Sequence, residues 1–591
     1  MSASPKSAPV ALLSGDEAIA RGAYEAGARV ATAYPGTPST EILEALAGYP
    51  EVHAQWAPNE KVALEVALGA SLAGARAIAS MKHVGLNVAS DPLITAAYTG
   101  VRGGLVVVSA DDPGMFSSQN EQDNRHYARL AKLPMFEPSD SEEARQFTIA
   151  AFELSERFDT PVLVRITTRI AHAKSILPLG ERVEHEPSGF ARDPAKTVMV
   201  PGHARRRHEL LEARMMELER WTEGCPFNRV ERRDDGVGVI ASGVAYQYVR
   251  EARPRASVLK LGVTNPLPAG LIRSFAKSVK RLFVVEELDP YLEGQIRALG
   301  VQLAHPPSRP RTGELSTEAV AQMLGVRRKA SRKSEPDLPP RPPSLCPGCG
   351  HRALLSVLRR LKVFVSGDIG CYTLGVQPPL QTMDTCICMG AAIGVAHGVE
   401  KATGRTGNMV AVIGDSTFVH SGITPLIDVV YNRAATTTII LDNETVAMTG
   451  HQDHPGTGKT ASGETTHRLS LEAIARAAGV ENVSIVDPYD LKKTRAAIRE
   501  AIASPGPAVV IARRRCVLLD RERPRAARRI DPKRCTGCGA CLALGCPAIS
   551  EETPKGEKRK RPVIITRLCA GCGVCAQVCP RDAISEARDH A

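Results

Sequence analysis

Apolar positions along this chain fall into short β-branched runs separated by segments of helical period. Residues 28–34, 104–110 and 158–166 read as buried strands, and residues 59–70 (NEKVALEVALGA) as a helix rich in small residues. Residues 236–243 and 282–286 form a second, sparser set of strands. A third set holds residues 409–413 and 436–441, with a helical pattern between them. Strands alternating with helices predict doubly wound α/β domains built on parallel sheets. Residues 181–235 are charged and irregular, apart from a short amphipathic helix near 208–221, and read as a connector. Residues 327–344 (RRKASRKSEPDLPPRPPS) have the composition of a linker. The expected organisation is an α/β domain at 1–180, a smaller α/β domain at 236–326, another α/β domain at 345–520 and a cysteine-rich tail at 526–591.

Composition narrows the class. A chain of 591 residues, 43% hydrophobic and 24% charged, is ordinary globular protein of three or four domains. No apolar run reaches membrane-spanning length, and the opening MSASPKSAPVALLSGDEAIARG lacks the apolar core of a signal peptide, so a cytoplasmic protein without membrane contact is expected. The net charge of +11 is concentrated in residues 513–534 and in the knot at 204–208. Nucleic-acid binding is not favoured, because no recognition module or aromatic stacking series accompanies these runs. A solvated linker is the expectation, with a face for an acidic electron carrier as the alternative. Fifteen clustered cysteines then point to metal or redox centres rather than disulfides.

Two stretches carry explicit chemistry. In the tail, Cys535, Cys538, Cys541 and Cys546 are followed by Cys569, Cys572, Cys575 and Cys579, with Pro after the last cysteine of each run. This is the spacing of a two-cluster ferredoxin, an α+β fold in which the fourth cysteine of each run serves the other cluster. One [4Fe–4S] cluster is expected on Cys535, Cys538, Cys541 and Cys579, the other on Cys569, Cys572, Cys575 and Cys546; zinc is the alternative. The first run has one extra residue before Cys546, a tolerable loop insertion. The second stretch, residues 413–452, delivers Gly414, Asp415 and Ser416 from one strand end and Asp442, Asn443, Glu444 and Thr445 from the next. Hard oxygen ligands at the carboxyl ends of parallel strands suit Mg²⁺ shared with substrate phosphates. Gly414 would permit a tight turn, and Ser416 could offer a hydroxyl and an amide to a phosphate. An ordinary strand–turn–helix with an Asp cap is the plain alternative. In TCICMGAAIG (385–394), glycines including Gly390, beside Ala391, permit close backbone approach to a diphosphate at a helix start. Ser39 or Thr40 could cap the helix after the first strand.

The stretch from Gly414 to Thr445 resembles the thiamine diphosphate (ThDP) motif, with Ser416 in place of its third Gly and Asp442 in place of its first Asn. The resemblance implies that Asp415 and Asn443 ligate Mg²⁺ by side chain and Thr445 by its carbonyl. YPGTPSTE followed by NEKVALEVALGAS is similar to the pyrimidine-binding domain of 2-oxoacid:ferredoxin oxidoreductases. There a helix Glu, matched in register by Glu60, hydrogen-bonds the aminopyrimidine and promotes deprotonation of the thiazolium; Glu65 competes on the same helix. Thr37 maps to a contact for the 2-oxoacid. Lys82, His83, Asn87 and residues 117–120 could line the same pocket or simply form surface loop. Pyruvate-type relatives carry an Arg just after the strand ending at Ala110, whereas this chain has Asp111, Asp112, Pro113 and Gly114, which leaves the carboxylate anchor unassigned and points to a bulkier oxoacid. The resemblance also implies a third [4Fe–4S] cluster on Cys346, Cys349, Cys371 and Cys516, against structural zinc or idle thiols. Cys386 and Cys388 are expected as packing residues and Cys225 as a free thiol. The 236–326 domain takes the place of a transketolase C-terminal-type domain.

The ordered set, including MKHVGLN, SSQNEQDNR, CPGCGHR, GDIGCYTLG and ETVAMTGHQDHPGTG, resembles the alpha subunits of the indolepyruvate:ferredoxin oxidoreductases. It implies oxidative decarboxylation of arylpyruvates such as indole-3-pyruvate or phenylpyruvate, with coenzyme A as acyl acceptor and a soluble ferredoxin as electron acceptor. It also implies a smaller beta subunit carrying the gamma-type domain, in a heterotetramer. Loss of CO₂ from a ThDP-bound oxoacid leaves a two-electron reductant, and one-electron clusters beside it suit stepwise oxidation. The rival readings are another 2-oxoacid:ferredoxin oxidoreductase, a non-oxidative ThDP decarboxylase or ligase with structural clusters, and an electron-transfer subunit with a vestigial ThDP fold.

Overall fold

A computed structural model of the chain describes residues 9–326, 342–404, 409–520, 526–553 and 560–587. Residues 327–341 of the expected linker lie outside this set. The chain divides into two compact units, Met1–Ser334 and Glu335–Ala591.

The first unit is built on a seven-stranded sheet. Its order is Val263–Asn265, Met135–Phe136, Val162–Thr167, Leu105–Asp111, Ala77–Lys82, Val30–Ala33 and His53–Trp56, parallel throughout except at the Val263–Asn265 edge. Leu105–Asp111 is buried along its whole length, as a strand covered by helices on both faces must be. The period of two divides its side chains between two cores. Val106 and Val108 pack with Ile19, Phe147 and Phe152, whereas Leu105 and Val107 pack with Leu64, Leu93 and Ala97. The carboxyl edge of this sheet carries the YPGTP loop, Lys82 and Asp111.

The expected strand at 158–166 begins only at Val162. Phe158 is the last residue of the helix Ser141–Phe158, and Asp159, at φ 51°, turns the chain out of it. The connector is more ordered than its charge suggested: Pro201–Glu223 is a helix of 23 residues. Leu211, Arg214, Leu218 and Thr222 form its buried stripe, and Arg207 and Arg214 donate to the carbonyls of Tyr98 (2.6 Å) and Ala97 (2.5 Å). The basic knot at 204–208 is therefore helix, anchored in part, rather than a solvated linker. The smaller domain has the sheet order Arg281–Val285, Asp234–Ser242, Ala256–Leu261, Arg229–Glu231, with only the last strand antiparallel. It is not sealed off from the first domain: its Val263–Asn265 strand completes the larger sheet, and Arg125, fully buried, ion-pairs with Glu286 at 2.8 Å.

The second unit holds a six-stranded parallel sheet in the order Thr385–Cys386, Phe364–Gly367, Met409–Gly414, Thr437–Asp442, Ala508–Arg513, Asn482–Val486. Its carboxyl edge bears Asp368, Asp415, Asn443 and, just beyond Arg513, Cys516. The tail forms two small antiparallel ribbons, Arg528–Ile530 with Ile584–Glu586 and Ile549–Glu552 with Arg561–Ile564, and a short helix Val574–Val578. Cys541, Leu544, Val574 and Val578 share one core with Leu354, Leu355 and Val412 of the large sheet domain. Among the described residues no helix is long and apolar enough to cross a membrane.

Candidate active site and metal centres

At the first sheet's carboxyl edge, Asn59 caps the helix Glu60–Leu72 by accepting from Val62 N–H at 2.9 Å, which fixes Glu60 as its first residue. Glu60 is buried (5% exposed) and its carboxyl abuts Gly85, where an added Cβ would fall 2.7 Å from Oε1. Glu65, by contrast, is an exposed partner of Lys61. Thr37 lies in the loop after the strand Val30–Ala33, and its carbonyl accepts from Ser117 Oγ at 3.2 Å. Neither Ser39 nor Thr40 caps the next helix: Ser39 Oγ donates to Gly36 O (2.9 Å) and Thr40 Oγ1 accepts from Gly36 N–H (3.0 Å), tying the loop to itself. Asp111 is fully buried on Arg165 (2.8 Å), and burial pushes its carboxyl up to about 6. Asp112 accepts from Ser117 N–H (2.9 Å) and Thr168 Oγ1 (2.9 Å), so the Asp-Asp turn organises the 113–121 loop.

In the second unit three oxygen-bearing groups meet at two strand ends. The atom of the Asn443 carboxamide that faces Asp415 stands 3.0 Å from Oδ1 and 3.1 Å from the Thr445 carbonyl oxygen. Octahedral Mg²⁺, with ligands at about 2.1 Å, sets neighbouring ligand oxygens about 3.0 Å apart. With the amide oxygen turned inward, it stands at ligand spacing from both neighbours. With the nitrogen inward it donates to both neighbours. The donor set and its spacing therefore fit the ion. Asp415 is buried and braced: Oδ1 accepts from Ser416 N–H (2.9 Å) and Oδ2 from Glu444 N–H (2.8 Å). Glu444 holds that amide in place from the left-handed region, at φ 58°, a strain that non-glycine residues accept mainly at functional turns.

Several details differ from the sequence expectations. Gly414 makes no special turn (φ −76°). Its place is tight instead: an added Cβ would stand 3.1 Å from the ring of Tyr372, whose hydroxyl accepts from Gly414 N–H at 2.9 Å. The Ser416 amide is spent on Asp415, which leaves only its hydroxyl for a phosphate. The amides at the helix start 390–392 are also occupied. Asp368 accepts from Gly390 N–H and Ala392 N–H, both at 2.9 Å, and Ala391 N–H donates to Cys388 O at 3.1 Å. Gly390 is required by its φ of 87° and by Ser421, whose Cβ would stand 2.5 Å from an added Cβ. Asp442, in place of Asn, is neutralised by Arg513, whose Nε donates to it at 2.6 Å. Arg513 also pairs with Glu472, and Arg514 pairs with Asp487 and stacks 4.2 Å above Tyr489, so the 513–534 run begins as structural ion pairs and not as solvated linker. Cys388 is exposed rather than packed, and Cys386 half-buried; Cys225 is a buried free thiol.

The sequence reading gave no role to four buried groups near Asp415: His454, His351, Asp368 and Tyr372. Gly456 N–H donates to His454 Nδ1 at 3.2 Å, and His454 Nε2 lies 3.3 Å from Asp415 Oδ2 without the alignment of a hydrogen bond. Burial pushes His351 down to about 4 in spite of Asp415 nearby. Burial pushes Asp368 up to about 6. Tyr372 packs edge-on to His351, ring centroids 5.8 Å apart. GDIGCY, CPGCGHR and HQDHPGTG hold all four, but only burial separates these residues from loop polars. A π-turn, Phe418–Gly422, interrupts the helix just after Asp415, a feature that recurs at functional sites.

The cysteines fall into three groups. Cys535, Cys538, Cys541 and Cys579 line one cavity, and Cys546, Cys569, Cys572 and Cys575 line another. The crossed pairing expected from the spacing is thus what the backbone brings together. Cys346, Cys349, Cys371 and Cys516 also converge. Burial pushes the Cys349 thiol up to about 12, with Cys371 adding to it, and pushes Cys371 up to about 11, with Cys516 and Cys346 adding. Burial of this kind disfavours free thiolates, a cost that a cationic centre among the four would offset. Cys516 N–H donates to Asn443 O at 3.0 Å, which places this set at the sheet edge that carries Asp415 and Asn443, and Cys349 lines the cavity of Cys546, Cys569, Cys572 and Cys575.

Comparison with known proteins agrees with this layout. Residues 21–207 match the thiamine diphosphate-binding domain of pyruvate flavodoxin/ferredoxin oxidoreductases, residues 368–512 the C-terminal TPP-binding domain of thiamine pyrophosphate enzymes, and residues 527–586 a 4Fe-4S dicluster domain. The indolepyruvate oxidoreductase subunit IorA of Archaeoglobus fulgidus is 43% identical, over 98% of this chain and 98% of its own length. The subunit IorA of Methanothermobacter thermautotrophicus is 43% identical (97% and 96%), and that of Thermococcus kodakarensis 41% (98% and 97%). The 2-oxoglutarate synthase subunit KorA of Archaeoglobus fulgidus is 26% identical over 47% of this chain. With two thiamine-binding domains, a dicluster tail and relatives of this identity along its whole length, the chain belongs to the IorA family of indolepyruvate oxidoreductase subunits.

Proposed function

We propose that this chain is the catalytic alpha subunit of an indolepyruvate:ferredoxin oxidoreductase. The reaction is 2-oxoacid + coenzyme A + 2 oxidised ferredoxin → acyl-coenzyme A + CO₂ + 2 reduced ferredoxin + H⁺, with an arylpyruvate as the oxoacid. When bound, ThDP supplies the electron sink that lets a 2-oxoacid lose CO₂. Glu60 holds a proton against the aminopyrimidine, and Thr37 contacts the oxoacid. Asp415, Asn443 and the Thr445 carbonyl hold Mg²⁺ at the diphosphate. Gly414, the Ser416 hydroxyl, Gly390 and Ala391 border the diphosphate by close approach rather than by their amides. Cys535, Cys538, Cys541 and Cys579 hold one [4Fe–4S] cluster, Cys569, Cys572, Cys575 and Cys546 a second, and Cys346, Cys349, Cys371 and Cys516 a third.

One observation carries the oxidative reading: the Cys516 amide on Asn443, and Cys349 beside the Cys546 cavity, make a continuous line of sulfur from the Mg²⁺ edge to the dicluster. A decarboxylase that released an aldehyde would need no such line. The net charge of +11 and the cysteine-rich tail suit a soluble acidic ferredoxin in the cytoplasm. A smaller beta subunit carrying the gamma-type domain completes the enzyme, as a heterotetramer. The test is anaerobic: the chain is purified with its partner subunit, given indole-3-pyruvate and coenzyme A, and followed by viologen reduction, with pyruvate and 2-oxoglutarate as controls. Coenzyme A-dependent reduction that prefers the aryl acid is the expected result. Reduction with pyruvate alone overturns the substrate, and CO₂ release without reduction overturns the oxidative mechanism.

A further inference from the structure

We propose that Lys82 is the cation that anchors the substrate's 2-oxo carboxylate, a role that rests on the reaction proposed above. Lys82 ends the strand Ala77–Lys82 and is 8% exposed. Its ammonium has three donors. Nζ donates to Ser117 O at 2.6 Å and reaches Ser117 Oγ at 3.3 Å, both on one neutral residue. Among the described residues no carboxylate lies within 4 Å of it. Asp112 acts on it only through space, and its oxygens already accept from Ser117 N–H, Ser118 Oγ and Thr168 Oγ1. A buried ammonium with no carboxylate in contact is costly: burial pushes Lys82 down to about 8, against the opposing pull of Asp112 through space. An arriving carboxylate removes that cost.

The position names the anion. Ser117, which Lys82 holds, donates in turn to the Thr37 carbonyl, and an added Cβ on Gly36 would stand 3.2 Å from Lys82 Cβ. Three residues beyond Lys82, Gly85 abuts the Glu60 carboxyl. Lys82 is thus set between the loop that contacts the oxoacid and the residue that addresses the aminopyrimidine. The other cations at this edge are committed. Arg165 pairs with Asp111 and Glu137, Arg125 with Asp123 and Glu286, and burial together with Lys82 pushes His83 down, toward its neutral form.

The test uses the enzyme with its partner subunit and bound ThDP, as wild type, Lys82→Met and Lys82→Arg. Turnover is compared for indole-3-pyruvate and for indole-3-acetaldehyde, the same skeleton without the carboxylate. Binding of indole-3-lactate, which cannot decarboxylate, is measured by calorimetry. Lys82→Met should weaken indole-3-lactate and raise KM for the oxoacid by roughly 10- to 100-fold, the scale of one charge-assisted hydrogen bond. The aldehyde should lose roughly ten times less, and Lys82→Arg should recover part of the loss. An equal fall for acid and aldehyde, or an oxoacid KM that does not move, overturns the proposal. Pyruvate and 2-oxoglutarate with their hydroxyacids pass through the same assay. A non-aryl preference therefore sinks the aryl assignment and still reads Lys82, whereas a wild type that neither binds nor turns over any oxoacid sinks both.

Discussion

Glu60 and Glu65 sit on one helix, and register alone favours Glu60; burial separates them. Glu60 lies against Gly85 inside the sheet edge, and Glu65 is spent on an exposed pair with Lys61. Glu60→Gln should lower kcat by roughly 10²- to 10⁴-fold, the usual worth of a positioned acid–base group, while the purified chain retains ThDP. Glu65→Gln should change kcat by less than about twofold, because an exposed pair contributes little; the reverse ranking in steady-state assays would move the role to Glu65. Asp16 shows what sequence could not disclose. In SGDE, Ser14 and Glu17 form a reciprocal capping box, which leaves Asp16 to turn inward, fully buried, against Glu41. Burial first, and the neighbouring Glu41 carboxylate second, push Asp16 well above the ordinary carboxyl range. A folded pKa above the unfolded one means that the unfolded chain releases this proton first. Stability is therefore lost as pH rises from about 4, the unfolded value, toward the folded value. Asp16→Asn should raise Tm at neutral pH and flatten its decline between about pH 4 and 7. A lower Tm at pH 7 would mean that Asp16 is charged and paired in the native state.

At the scale of elements, what repeats locally was legible and what depends on distant partners was not. The strands at 104–110, 409–413 and 436–441 were readable within a residue or so, because buried parallel strands are apolar throughout. The helix Pro201–Glu223 was underestimated because its buried stripe holds only two apolar residues, Leu211 and Leu218, and arginines anchor it through carbonyls more than 100 positions away. The seam between the first domain and the smaller one was invisible for the same reason. Arg125, 1% exposed, joins Asp123 to Glu286 across 161 residues of sequence, and its helix Arg125–Ala131 reads as an ordinary surface segment. Removing one member of such a buried network leaves the others uncompensated, at roughly 3–5 kcal/mol. Arg125→Met should therefore shift the first denaturant transition of this unit by about that amount. A shift below about 1 kcal/mol would show that Asp123 and Glu286 take up protons without strain.

On the scale of the whole chain, the dicluster ligands were legible because eight cysteines lie within 45 positions, Cys535 to Cys579, at a repeating spacing. The third set spans Cys346 to Cys516, and its coherence rests on parallel pairing: Asp442 opposite Arg513 in the sheet carries the chain on to Cys516, hydrogen-bonded to Asn443. Arg352 ties the two regions together. Its Nη1 donates to Leu544 O at 2.9 Å, and its guanidinium lies close enough to Cys546, Cys572, Cys349 and Cys346 to feel all four. A buried cation between two sulfur sets would offset negative charge on both if each held a reduced anionic cluster. Anaerobically reconstituted chain should therefore bind about twelve iron atoms, three clusters of four, and Cys516→Ser should bind about eight. The variant should keep the dicluster signals in reduced-state EPR, because no dicluster cysteine is altered, and should lose oxoacid-driven viologen reduction, because the line is cut at the Mg²⁺ edge. About eight iron atoms in both proteins would leave Cys346, Cys349, Cys371 and Cys516 as buried thiols. Twelve in both would put the third cluster on a different fourth ligand, with His451 Nε2, 3.7 Å from Cys516 Sγ, the nearest group of the right chemistry.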